Sequence, residues 1–119
     1  VVADQWGRPT SALDLADALL LVAAGMRDDR YGVYHVAGGG ETNWAGFARH
    51  ILETSRLQGG PSARVVEIST ADRRSRAGRP ANSRLATDKA ERVLGIRLPD
   101  WRESTRRDVT RLLREHSHA

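Results

Sequence analysis

"GVYHVAGGGETNWAGF" occupies residues 32–47, and the fold class turns on how it divides. Gly32 to Ala37 alternates small, apolar and aromatic side chains, the pattern of a buried strand. Glycines 38–40 and the polar residues after them form a loop. Asn43 is placed to cap a helix, because its side-chain oxygen can accept from backbone N–H groups left free at a helix start. Trp44, Phe47, Ala48, Ile51, Leu52 and Ser55 then recur at three- and four-residue steps, which puts them on one helix face. Strand, glycines and helix in this order also resemble a dinucleotide loop, where a pyrophosphate meets a helix N-terminus. The G-x-G-x-x-G spacing needs glycine at position 43, where Asn43 stands, and no Gly-Lys-Ser/Thr follows. A tight turn before a capped helix is the better reading.

Working outward, Val1–Asp4 is a short β-like run, and Gly7 and Pro9 punctuate it. Ser11 with Asp14 three residues on approaches a capping box. The helix it opens runs from about Ala12 to Met26. Residues 18–24, "ALLLVAA", are apolar nearly all round, which predicts deep burial. After the second helix, "GGP" at 59–61 is a stop and Ala63–Ser69 reads as a strand. Pro80 biases Arg79 away from helix, so the basic stretch 70–85 is extended or looped. Thr87 caps a short helix, Asp88–Leu94, with Gly95 at its C-cap. Asp100 and Glu103 open a last helix from Trp101 to about Glu115, whose apolar face is Trp101, Thr105, Val109, Leu112 and Leu113. Residues 116–119 form a frayed tail. The order is α/β, with short strands and about four helices.

The 119 residues fit one domain or part of a larger one. The chain opens on what reads as a strand already in progress, which points to a C-terminal fragment. An apolar content of 39% is slightly low for a self-contained domain, so some surface is expected to pack on a further partner. The net charge of +4 rests on 18 Arg and one Lys, a basic balance that suits nucleic acid, anionic membrane or an anionic small ligand. The absence of cysteine excludes disulfides and thiolate metal sites and fits a reducing cytoplasm.

Among chemistry-bearing residues, His35, His50, His116 and His118 lack metal-ligand spacing, and His35 reads as a core residue of its strand. No G-x-S-x-G elbow is present. A Tyr-x-x-x-Lys pair, in which the lysine lowers the tyrosine pKa for proton transfer, cannot exist here, because Leu85 stands four residues before the single lysine, Lys89. The remaining signal is "SRAGRPANSRLATDK", residues 75–89. Arg76, Arg79 and Arg84 surround Pro80–Ser83, and the acids nearest Arg79 are Asp72 and Asp88. A guanidinium can bind phosphate bidentately, and Asn82 and Ser83 add neutral groups suited to sugar hydroxyls. The alternatives are a solvated loop and a nucleic-acid patch of Arg73, Arg74, Arg76, Arg79 and Arg84. Against the latter stand the single Phe and two Tyr of the chain and the absence of any recognised module pattern.

"VVADQWGRPTSALDLADALL", "GVYHVAGGGETNWAGFARHIL" and "RPANSRLATDKAERVLGIRLPDW", in this order and spacing, resemble the C-terminal part of the dTDP-4-dehydrorhamnose reductase family, extended short-chain dehydrogenases that act on nucleotide sugars. The resemblance implies that residues 1–115 are a substrate-binding lobe. It also implies an N-terminal Rossmann-like domain, absent here, that holds NADPH or NADH and the catalytic Tyr and Lys. The implied reaction is reduction of dTDP-4-dehydro-L-rhamnose to dTDP-L-rhamnose in the cytoplasm, with this part inactive alone. Its partners are then a dTDP-sugar and that N-terminal domain, with neither nucleic acid nor membrane. Arg79 is implied to meet the sugar-nucleotide diphosphate and Asn82 the ribose or phosphate side. Gln5, Gly7, Pro9 and Thr10 would shape the other wall. The chain departs from the family at "ADRRSRAG" (71–78), where Tyr-Pro and further Pro are expected. The alternative is a non-catalytic regulatory or interaction module of the same family.

Overall fold

The computed structural model describes residues 1–73 and 77–117. Its elements are α1 (Ala12–Gly25), α2 (Trp44–Leu57), α3 (Asp88–Leu94) and α4 (Trp101–Ser117), with β1 (Trp6–Gly7) and β2 (Thr42–Asn43). The two strands pair antiparallel, Trp6 with Asn43 and Gly7 with Thr42. The class is mixed α/β with four helices, as the pattern predicts, but the sheet is much smaller than expected. Val1–Asp4 and Ala63–Ser69 meet through one parallel bridge, Val2 to Ile68, and Gly32–Ala37 forms no strand. A strand needs a neighbour for its backbone N–H and C=O groups. Among the described residues none flanks Gly32–Ala37, so His35 is exposed rather than in the core.

Helix bounds follow the sequence closely. Asn43 caps α2, its Oδ1 accepting from the Gly46 N–H at 2.8 Å. Gly95 closes α3 in the left-handed region at φ 67°. The Asp100 carboxylate accepts from the Arg102 N–H at 2.8 Å, and α4 continues to Ser117 rather than fraying at residue 116. Two caps are not as expected. Thr87 makes no side-chain cap bond to α3, because its hydroxyl meets Arg8 and Glu91 instead. Ser11 and Asp14 form no capping box either. Ser11 donates to the Asp108 carboxylate at 2.6 Å, and buried Asp14 accepts from Ser104 and, at 2.5 Å, from Arg107. These bonds fasten the start of α1 to the middle of α4.

The predicted burial of α1 is overturned. Ala18 joins Ile96 and Leu98 in the small core, with Val22, Val36 and Leu94 against it. Leu19, Leu20 and Leu21 face outward, Leu20 being 71% exposed. α2 packs on α4, where Phe47 and His50 meet the buried Trp101 ring edge-on at 5.9 and 5.1 Å between centroids. Trp44, expected on the same buried face, is exposed. No helix among the described residues is long and apolar enough to cross a membrane.

The glycines at 38–40 join three segments. The Gly38 N–H donates to Thr10 Oγ1 at 3.0 Å, and the Gly39 N–H donates to the Pro99 carbonyl at 2.8 Å. The Gly39 carbonyl accepts from Trp101 N–H at 3.0 Å. A Cβ on Gly38 would collide with the Pro9 carbonyl oxygen, and one on Gly39 would lie 3.2 Å from Asp100 Cα. Both obstacles are backbone and cannot swing aside. A Cβ on Gly78 would meet nothing within 4 Å among the described residues.

Gly38→Ala is therefore expected to cost at least about 3 kcal/mol in denaturant unfolding, the upper end of overpacking penalties, while Gly78→Ala stays within about 0.5 kcal/mol of the parent. Equal stability of the two variants would contradict the junction. A second prediction concerns acid. Burial pushes the Asp14 carboxyl up, but hydrogen bonds from Arg107 and Ser104 and the Arg107 charge outweigh it and hold the group below its ordinary 3.8. A carboxyl depressed in the folded state contributes stability above its unfolded value and loses it as pH falls through the folded one. Unfolding midpoints followed downward from pH 5 should fall more steeply for the parent than for Asp14→Asn. Parallel curves would remove Asp14 from the acid response.

Candidate functional site

β1 and the turn after it meet β2 and the first turn of α2 around a cavity of about 390 Å³. Its lining includes Gln5, Gly7, Pro9 and Thr10 on one side and Thr42, Asn43, Trp44 and Phe47 on the other, with Ser83 at the edge. Such a volume lies within the range of small-molecule sites. The third segment is held by backbone bonds. Trp6 N–H donates to the Ala81 carbonyl at 2.8 Å, and Ser83 N–H donates to the Trp6 carbonyl at 2.9 Å. A Cβ on Gly7 would stand 3.1 Å from Ser83 Oγ, so glycine permits the close approach of these segments.

Arg8 fastens the wall from behind. Its guanidinium donates to the Gly38 carbonyl at 2.9 Å, the Leu85 carbonyl at 2.8 Å and the Thr87 hydroxyl at 3.2 Å. Gln5 is buried and donates to Thr70 Oγ1 at 3.1 Å. Thr70 in turn donates through its hydroxyl at 2.6 Å and its N–H at 2.9 Å to Asp4. Those two bonds hold the exposed Asp4 carboxyl below its usual value. Thr10 is spent on the junction, its hydroxyl donating to the Arg8 carbonyl at 3.0 Å while accepting from Gly38.

Gln5, Gly7, Pro9 and Thr10 thus come together on one wall. Asn82 pairs with Trp6 by a parallel bridge, and its Oδ1 accepts from Arg84 Nε at 2.9 Å. Arg84 is not an unpaired charge, since it reaches Glu41 at 3.0 Å, an acid 43 residues away in sequence. Arg79 is exposed, does not line the cavity, and makes no hydrogen bond or ion pair among the described residues. Arg74 and Arg76, counted in the basic patch, lie outside the described residues, as does His118 of the tail. Sequence reasoning missed Arg8, Thr42, Asn43, Trp44 and Phe47 as cavity residues. Their spacing puts Trp44 and Phe47 on one helix face, and no local signal separates an aromatic that faces a cavity from one that faces a neighbour. Among the described residues no three metal-ligating side chains gather.

The glycine loop has no space for a cofactor pyrophosphate. Gly38 and Gly39 are filled by Pro9, Pro99 and Asp100 backbone, and a Cβ on Gly40 would meet Asp100 and Trp101. The described residues therefore do not fit a dinucleotide.

Comparison with known proteins is consistent along the whole chain. The family profile described as "RmlD substrate binding domain" matches residues 1–114. A dTDP-4-dehydrorhamnose reductase of Sinorhizobium fredii is 46% identical over 123 residues, covering all of this chain and 42% of the relative. The Escherichia coli K12 protein of the same name is 35% identical over 94% of this chain and 39% of its own length. Among solved structures, a dTDP-4-dehydrorhamnose reductase ortholog from Clostridium acetobutylicum superposes with a TM-score of 0.79 at 33% identity, over 96% of this chain and 38% of that one. The reductase of Bacillus anthracis, solved in complex with NADP, gives 0.78 at 29% identity, over 90% and 36%. The chain spans about two fifths of the length of these relatives. The segments that build the cavity all fall inside the matched residues, and the chain belongs to the RmlD substrate binding domain family.

Proposed function

We propose that this chain grips the nucleotide sugar in the NAD(P)H-dependent reduction of dTDP-4-dehydro-L-rhamnose to dTDP-L-rhamnose, a cytoplasmic step of rhamnose biosynthesis. The observation that carries the reading is the cavity. Three segments far apart in sequence, each inside the family match, converge on a partly apolar hollow beside a basic loop. In this reading Arg79 pairs with the diphosphate. Its side chain has no competing partner among the described residues, whereas Arg8 and Arg84 are committed to internal acceptors. Asn82 stands on the ribose or phosphate side. Gln5, Gly7, Pro9 and Thr10 form the opposite wall.

The hydride donor, NADPH or NADH, and the proton-transferring Tyr-x-x-x-Lys pair belong to an N-terminal domain of the same protein. Support for that domain comes from unfinished surface: the exposed leucines 19–21 of α1 and the exposed Val33 and His35, in a segment without a β-ladder among the described residues, are what a flanking sheet would cover. The same surface would serve a non-catalytic interaction module, and ketone reduction by the full-length protein separates the two readings.

In the full-length protein, Arg79→Ala should weaken dTDP-L-rhamnose binding about 30-fold in titration calorimetry, corresponding to about 2 kcal/mol for a charge-assisted phosphate contact. Unchanged affinity would remove Arg79 from the site. A parent protein that binds no dTDP-sugar would overturn the whole reading.

A further inference from the structure

Arg84 Nη1 donates to Glu41 Oε1 at 3.0 Å, and the segments that carry the two residues lie on opposite sides of β1. Trp6 of β1 pairs with Asn43 on one side and with Asn82 on the other. The ion pair therefore joins the two flanks of a strand that forms part of the cavity wall. As a staple it is weak. Both side chains are substantially exposed, at 38% and 53%, and exposed pairs add little to stability. What the pair fixes is direction. Arg84 makes two further bonds to Asn82 Oδ1, from its Nε at 2.9 Å and from its backbone N–H at 3.1 Å. Both groups are donors, so the amide atom that faces them is the oxygen. The backbone beneath is held as well, because the Trp6 N–H donates to the Ala81 carbonyl and the Ser83 N–H donates to the Trp6 carbonyl. Ser83, which lines the cavity, spends its hydroxyl on that same carbonyl at 3.1 Å. Asn82 Nδ2 keeps both hydrogens without an acceptor among the described residues.

We propose that Arg84 is a positioning residue: anchored by Glu41, it holds the Asn82 amide so that Nδ2, and not Oδ1, is presented to an oxygen of the sugar nucleotide. An amide free to turn would offer either atom and would lose rotamer freedom when the ligand arrives. A phosphate or hydroxyl oxygen accepts from Nδ2, whereas an amide oxygen turned toward a phosphate oxygen would repel it. Arg84 acts through Asn82, since its Nε and Nη1 are committed to Asn82 and Glu41. It also neutralises the Glu41 carboxylate, which would otherwise oppose an anionic ligand nearby. The inference rests on the sugar-nucleotide reading above, in which Asn82 faces the ribose or phosphate side, and adds the two residues that orient it.

The test is a double-mutant cycle in the full-length protein, with dTDP-L-rhamnose as the probe in titration calorimetry and melting temperatures recorded alongside. It compares the parent with Asn82→Ala, Arg84→Met and the two combined. Asn82→Ala should weaken binding about ten-fold, the size of a lost hydrogen bond to a charged group. Arg84→Met should weaken it at least about three-fold in the parent background. In the Asn82→Ala background it should change affinity by less than about two-fold, because the residue it acts through is gone. Glu41→Gln keeps an acceptor for Arg84 and should stay within about two-fold of the parent. Melting temperatures should stay within about 2 °C throughout, as suits exposed side chains. Loss by the same factor in both backgrounds would overturn the inference, because Arg84 would then act on the ligand directly or through the fold. Parent-like affinity of Arg84→Met would also overturn it and leave the sugar-nucleotide reading intact. Failure of the parent to bind dTDP-L-rhamnose would overturn both.

Discussion

Main-chain contact at Gly38 and Gly39 is the constraint on which the arrangement of this protein depends. The Pro9 carbonyl and the Pro99–Asp100 backbone occupy the space where side chains would otherwise begin. Segments from three parts of the chain therefore meet at backbone distance and exchange hydrogen bonds with the loop between them. Arg8 adds a second tie, drawing residues 85–87 to the same point through three oxygens. With those positions set, β1 lies against β2, Ser83 lies against Gly7, and the cavity between them has a defined shape. The triple glycine that looks like a cofactor loop is thus a packing device.

Two kinds of surface result. One is internally finished: the cavity wall, in which Asp4, Thr70 and Gln5 hold one another and Asn43 serves both as helix cap and as lining. Groups locked by their own hydrogen bonds lose little freedom when a ligand arrives, which favours selective binding. The other surface is unfinished: three leucines of α1 facing out and residues 33–37 without a ladder among the described residues. The relatives that the chain matches are more than twice as long, and one of them is solved in complex with NADP.

Local features were readable from the chain. Asn43, Gly95 and Asp100 each act within a few residues of their own position, and the helix limits they imply agree with the structure to within two residues. Features that depend on distant neighbours were not. The run at 18–24 signals burial, but hydrophobicity cannot say against what, and here part of that face has no cover. Residues 32–37 have strand composition but, among the described residues, no strand to pair with. Ser11 and Asp14 have capping-box spacing, yet Arg107 and Asp108, more than 90 residues on, draw both side chains away. Arg84 looked free because Glu41 is remote in sequence. For the site, motif resemblance pointed to Gln5, Gly7, Pro9 and Thr10, which share one wall, while the aromatic side of the cavity carried no signal apart from helix periodicity.

The most direct measurement is a crystal structure of the full-length protein with dTDP-L-rhamnose bound. The account predicts the diphosphate within hydrogen-bonding distance of the Arg79 guanidinium, and the ligand extending into the cavity bounded by Gln5, Asn43 and Trp44. A diphosphate neutralised by other residues, with Arg79 turned to solvent, would contradict it.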